Sequence, residues 1–86
     1  MGKAKKSFFE IAVADKVAEI RRAKGLSQSD LATILDVTRG FIGQVETPSS
    51  RSAYSVDHLN RLAYDLGCSV HDLLPADPIV ESSWDK

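Results

Sequence analysis

Eighty-six residues allow one small domain, and a chain of this size closes a hydrophobic core only if helices dominate. The hydrophobic share of 43% fits a globule, no apolar run approaches the roughly 20 residues that span a bilayer, and a net charge of −1 argues against a protein that coats nucleic acid indiscriminately. The one cysteine, Cys68, excludes an internal disulfide and agrees with a reducing, cytoplasmic setting. The average charge hides an asymmetry: residues 1–51 hold nine Lys or Arg against six Asp or Glu, and residues 52–86 hold two against six. A basic half and an acidic half suit a domain with one face for phosphates, or else reflect scattered solvated charge.

Residues 1–6, MGKAKK, contain nothing to pack and read as a flexible basic arm. Lys3, Lys5 and Lys6 fit either a strand that follows a phosphate backbone or a merely solubilising tail. The start leads into an amphipathic helix rather than a signal-peptide core. Ser7 with Glu10 makes a capping box, and Phe8, Ile11, Ala14, Val17, Ala18 and Ile20 keep helical spacing as far as Gly25, a natural stop. Phe9 falls partly off that stripe, as a dimer contact or a partly exposed core residue.

The segment Ser27 to Glu46, SQSDLATILDVTRGFIGQVE, reads as two short helices joined by a tight turn. Ser27 and Asp30 form a variant capping box, and Leu31, Ala32, Ile34 and Leu35 supply the apolar stripe. Asp36 tolerates the left-handed conformation the turn needs, and Thr38 caps the second helix. At roughly 100° per residue, Val37, Ile42 and Val45 point one way and Arg39, Gly40, Gly43 and Gln44 the other. The open side carries groups that read base edges: Arg forks onto guanine, Gln bonds adenine, and glycine lets the backbone come close. Gly40 and Gly43 each cost ~1 kcal/mol of helix stability relative to Ala.

Beyond it, residues 47–55 form a Pro- and Ser-rich loop, in which Arg51, with Ser49, Ser50 and Ser52, is either a phosphate clamp or a solvated arginine, and Tyr54 inserts into the core. Ser55 caps a fourth helix carrying Val56, Leu59, Leu62, Ala63 and Leu66 and ended by Gly67. Ser69 with Asp72 starts a short fifth helix holding Val70, Leu73 and Leu74, stopped by Pro75. Residues 76–86 form an acidic tail with three apolar residues, Ile79, Val80 and Trp84, that either dock on the domain, extend a dimer, grip a partner or stay loose. His58, Cys68 and His71 are spaced by ten and three, which matches no zinc pattern. With neither a nucleophile elbow nor a phosphate-binding glycine loop, the chain does not read as an enzyme and calls for no cofactor.

Ser27, Gln28, Leu31 and Ala32, then Val37 and Thr38, Ile42 and Glu46, resemble the helix-turn-helix of the Cro and lambda-repressor-like (Xre) family. The likeness extends to Ile20-Arg21, Gly25-Leu26, Leu62-Ala63, Leu66-Gly67 and Leu73-Leu74, about two thirds of the chain. Asp36 stands where glycine is usual, Phe41 where a small polar residue is common, and the loop after Glu46 is somewhat long. The resemblance implies an all-α, five-helix lambda-repressor-like domain over residues 7–75, with the helix-turn-helix at helices 2 and 3. It also implies an Arg21–Glu46 ion pair that sets the angle of the recognition helix, and a dimer contact in the C-terminal region.

The implied function is sequence-specific binding of double-stranded DNA by a transcriptional regulator, a repressor acting as a homodimer on half-sites roughly 34 Å apart. Gln28 and Thr38 would hold phosphates with support from Arg51. Arg39 and Gln44 would contact bases, Gly40 and Gly43 would permit close approach, and Phe41 would touch a thymine methyl or a sugar edge. Two other readings fit the same residues. One is an antitoxin that represses its own operon and binds a toxin through the tail; the other is a protein-interaction adaptor that has lost DNA binding.

Overall fold

Each helix starts where a hydroxyl side chain meets amides that lack an intrahelical partner. In the computed structural model, which describes residues 6–84, Ser7 opens α1 (Phe8–Ala23), Ser27 opens α2 (Gln28–Leu35), Thr38 opens α3 (Arg39–Val45) and Ser55 opens α4 (Val56–Leu66). Three of these starts are reciprocal capping boxes, closed by Glu10, Asp30 and His58. The third is unusual: the ring Nδ1 of His58 accepts from the Ser55 amide at 3.0 Å, the task a glutamate commonly performs.

Three of the four helices, α1, α2 and α4, end by one device. Gly25, Asp36 and Gly67 all adopt left-handed backbone, at φ of 72°, 57° and 70°. The next amide in each case returns five residues, from Leu26 to Arg21, Val37 to Ala32 and Cys68 to Ala63. Asp36 thus occupies the position glycine fills elsewhere in this chain, and it is the one non-glycine residue with positive φ among those described.

The expected fifth helix is a single 3-10 turn, Val70–Leu73, so the architecture is all-α with four helices rather than five. The cause is local. Ser69 caps the turn, and Pro75 holds the preceding Leu74 in extended backbone, leaving too few residues to close an α-helical ring. A second 3-10 turn spans Ser82–Trp84.

The core is drawn from all four helices. Val13 and Val17 of α1, Leu31 and Ala32 of α2, Ile42 of α3, Leu59, Leu62, Ala63 and Leu66 of α4, and Leu73 form one buried cluster. The stripe on α1 is rotated from the expected one: Phe9 packs on the core, Val13 is buried, and Phe8 is 57% exposed. Val56, also expected inside, is exposed at the start of α4. Tyr54 and Cys68 pack against the cluster.

Both ends of the described chain are tied to the domain. Lys6, expected in the flexible arm, is buried; residues 1–5, with Lys3 and Lys5, lie outside the described residues. The tail folds back so that Glu81 Oε2 accepts from the Phe8 amide at 2.6 Å. A carboxylate there complements the positive end of the α1 dipole.

Candidate nucleic-acid interface

Helix α3 has seven residues, two of them glycine, and would not persist alone. Its order comes from its neighbours. Ile42 and Val45 are buried beneath it, and the Thr38 hydroxyl accepts from the Phe41 amide at 3.0 Å at its start. Its far end runs into an ion pair. Arg21 Nε and Nη2 each donate to one oxygen of Glu46, both at 3.0 Å, while Nη1 donates to the Leu26 carbonyl at 2.9 Å. Gln28 Nε2 adds a third bond to the same carboxylate, at 3.0 Å. Both charged side chains are nearly buried, with 10% and 8% of their surface exposed.

Burial alone would raise the Glu46 carboxyl. The hydrogen bonds from Arg21 and Gln28 and the charges of Arg21 and Arg22 outweigh it, holding the group below its ordinary 4.5. A carboxyl depressed by folding stabilises the fold above its unfolded pKa and loses that contribution as pH falls through the folded one. Calorimetric unfolding of wild type and Glu46→Gln is therefore expected to differ most at neutral pH, the gap closing as acid takes the solution below 4.5. A gap independent of pH would mean that the carboxylate charge contributes nothing. Beside this group, burial and the Glu46 charge push the Tyr54 phenol well above its usual range, Arg21 opposing in part. The Tyr54 hydroxyl is buried without a hydrogen-bond partner among the described residues.

The outward side of α3 is less uniform than its sequence pattern. Arg39 and Gly40 are exposed, and Arg39 makes no hydrogen bond or ion pair among the described residues. Gln44 is exposed too, but its Oε1 accepts from the Ser52 hydroxyl at 3.0 Å, which aims the amide and leaves Nε2 as its free donor. Gly43 is half-buried, and a Cβ there would stand 3.7 Å from Gln28 Oε1, so this glycine faces α2 rather than the open side.

Three expected roles change with these positions. Gln28 turns its side chain inward onto Glu46, so what it presents outward is the first turn of α2 rather than its amide. Phe41 is half-buried against the core, its ring 5.6 Å from that of His58, because an apolar ring gains more there than beside a sugar. His58 thereby joins α3, α4 and Tyr54, whose ring lies 6.1 Å away. The pattern Ser55-x-x-His58, matching a capping box, was the available signal.

Arg51 is exposed one residue before Ser52, in a loop pinned to the end of α3 through Ser52 and through Thr47, whose hydroxyl donates to the Gly43 carbonyl at 2.8 Å. Among the described residues, no group of His, Cys, Asp and Glu could hold a metal ion, and no helix is long and apolar enough to cross a membrane.

The profile of the helix-turn-helix family matches residues 17–73, the span from the middle of α1 to the end of the 3-10 turn. The chain belongs to the Xre/Cro-like helix-turn-helix family. That family is one of DNA-binding transcriptional regulators. Among solved helix-turn-helix structures it is similar to the restriction-modification controller protein C.AhdI from Aeromonas hydrophila, at 30% identity and a TM-score of 0.63, over 74% of this chain and 94% of that one. It is also similar to the clp gene regulator ClgR from C. glutamicum, at 25% identity and a TM-score of 0.66, over 79% and 86%. The same fold occurs in HppE, at 22% identity and a TM-score of 0.68, where the match covers 85% of this chain but 41% of HppE; at that identity the likeness is one of fold. No curated protein matches the sequence.

Proposed function

We propose that this protein is a sequence-specific regulator of transcription, a repressor that occupies a palindromic operator as a homodimer in the cytoplasm. The observation that carries the reading is the two-sided construction of α3: its inner side is locked by Ile42, Val45 and the Arg21–Glu46 pair, while Arg39 and Gln44 stand exposed on the other. Arg39 is the principal base reader. Gln44, aimed by Ser52, donates through Nε2 to a base acceptor, and Gly40, whose nearest neighbour for a Cβ would be Thr38 Oγ1 at 3.9 Å, leaves room for close approach. Thr38, whose hydroxyl proton is not used by the cap, and Arg51 contact phosphates on either side.

The test is selection from a pool of random duplexes at two salt concentrations. Wild type is expected to enrich a two-fold symmetric site, with affinity falling steeply as salt rises. Arg39→Ala is expected to lose about 1–3 kcal/mol on that site and to accept other bases at one position. Enrichment of no sequence would refute the reading.

A further inference from the structure

We propose that Lys6 is a positioning residue for DNA recognition: it clamps the C-terminal end of α3 and so holds the backbone of Gln44 in register. The inference rests on the DNA-binding reading above. Its basis is an account of the carbonyls at the end of α3, where the helical ladder runs out of amide donors after Ile42. The Ile42 carbonyl accepts from the Glu46 amide, and that of Gly43 accepts from the Thr47 hydroxyl. The Gln44 carbonyl accepts from the Thr47 amide at 3.1 Å and from Lys6 Nζ at 3.2 Å. The Val45 carbonyl accepts from Lys6 Nζ at 2.7 Å, and no other hydrogen bond to it is seen among the described residues.

The last turn of α3 contains no basic residue of its own. A cation at a helix C-terminus is favoured by the dipole, and a charge-assisted bond to a carbonyl is stronger than a neutral one. Lys6 supplies that cation from 38 and 39 positions away in sequence, with 4% of its surface exposed. A lysine so buried cannot meet a phosphate without leaving the clamp. Arg21, in the last turn of α1, and Lys6, just ahead of its first turn, thus both bond to the end of α3. Losing the arginine removes a partner from Glu46; losing the lysine leaves the Val45 carbonyl without a hydrogen bond and takes one of two from the carbonyl of Gln44, loosening the turn that carries the Gln44 side chain.

The experiment compares full-length wild type, Lys6→Met and Lys6→Arg on the selected duplex and on an unrelated one, at several salt concentrations. Backbone amide exchange through the end of α3 is followed alongside. Lys6→Met is expected to weaken binding to the selected duplex roughly tenfold, the scale of one charged hydrogen bond. Its affinity for the unrelated duplex and its salt dependence should stay as in wild type, while exchange at Glu46 and Thr47 accelerates. Lys6→Arg, which keeps the cation and its donors, should recover most of the loss. Equal weakening on both duplexes with a salt slope reduced by about one would make Lys6 a phosphate contact and overturn the proposal. Unchanged affinity and exchange in Lys6→Met would overturn it as well. If wild type itself selects no duplex, the DNA-binding reading is what fails, a result distinct from a wild type that selects and a Lys6→Met variant that matches it.

Discussion

Replacing Arg21 with alanine is expected to lower the midpoint of thermal unfolding by roughly 15 °C, from a loss of about 3 kcal/mol in a domain of this size. The reason lies less in the strength of the ion pair than in what remains without it. Glu46 keeps 8% of its side-chain surface in contact with solvent, so the variant holds a carboxylate with Gln28 as its one remaining hydrogen-bond partner and no paired cation. The Leu26 carbonyl, which Arg21 also serves, loses a donor as well. Desolvation offsets much of the attraction in the intact pair, so removing both charges should be far gentler than removing one. The double variant Arg21→Met, Glu46→Leu is therefore expected to recover most of the midpoint. Should Arg21→Ala unfold within a degree or two of wild type, the pair would have to be solvent-screened, and the anchoring of α3 would rest on packing and on the hydrogen bonds at its two ends.

Ile42→Ala tests that packing, with a loss of about 3 kcal/mol expected in urea unfolding and no change in the slope. Ile42 has no exposed surface, lies in the central cluster, and with Val45 is one of two buried side chains on α3. Truncating it removes the hydrophobic contact and leaves a void under a helix too short to reposition itself without disturbing Thr38 at one end and Glu46 at the other. Ile42→Val, which removes one methyl group, should cost about 1 kcal/mol, giving a graded series. A loss below that in Ile42→Ala would indicate that α3 frays independently of the domain, and binding would then have to order it.

Sequence was most informative where one physical rule acts locally. The capping residues Ser7, Ser27, Thr38, Ser55 and Ser69 and the left-handed stop at Asp36 depend on a few neighbouring atoms, and each stands where the local pattern puts it. The failures came where distant segments compete for a residue. Phe8 and Phe9 are both apolar, and only the packing of α1 decides that Phe9 goes in; a capping pattern promises a fifth helix at Ser69, and Pro75 ends it after one 3-10 turn. Within the candidate interface, Arg39 and Gly40 lie exposed on the open side of α3 as helical periodicity suggests. No periodicity rule, by contrast, could reveal that Gln28 turns toward Glu46, that Ser52 restrains Gln44, or that Lys6 lies under the end of α3. Those three contacts are polar and join separate segments of the chain, which is where sequence patterns carry least information.

With its first turn capped by Thr38 and the carbonyls of Ile42, Gly43, Gln44 and Val45 each bonded, α3 is held at both ends without a ligand. Association at this surface is then a meeting of two preformed shapes. Its heat-capacity change should reflect only the apolar area covered, without the large excess that accompanies coupled folding. Its rate should be governed by diffusion and charge, with no slower ordering step appearing as ligand concentration is raised.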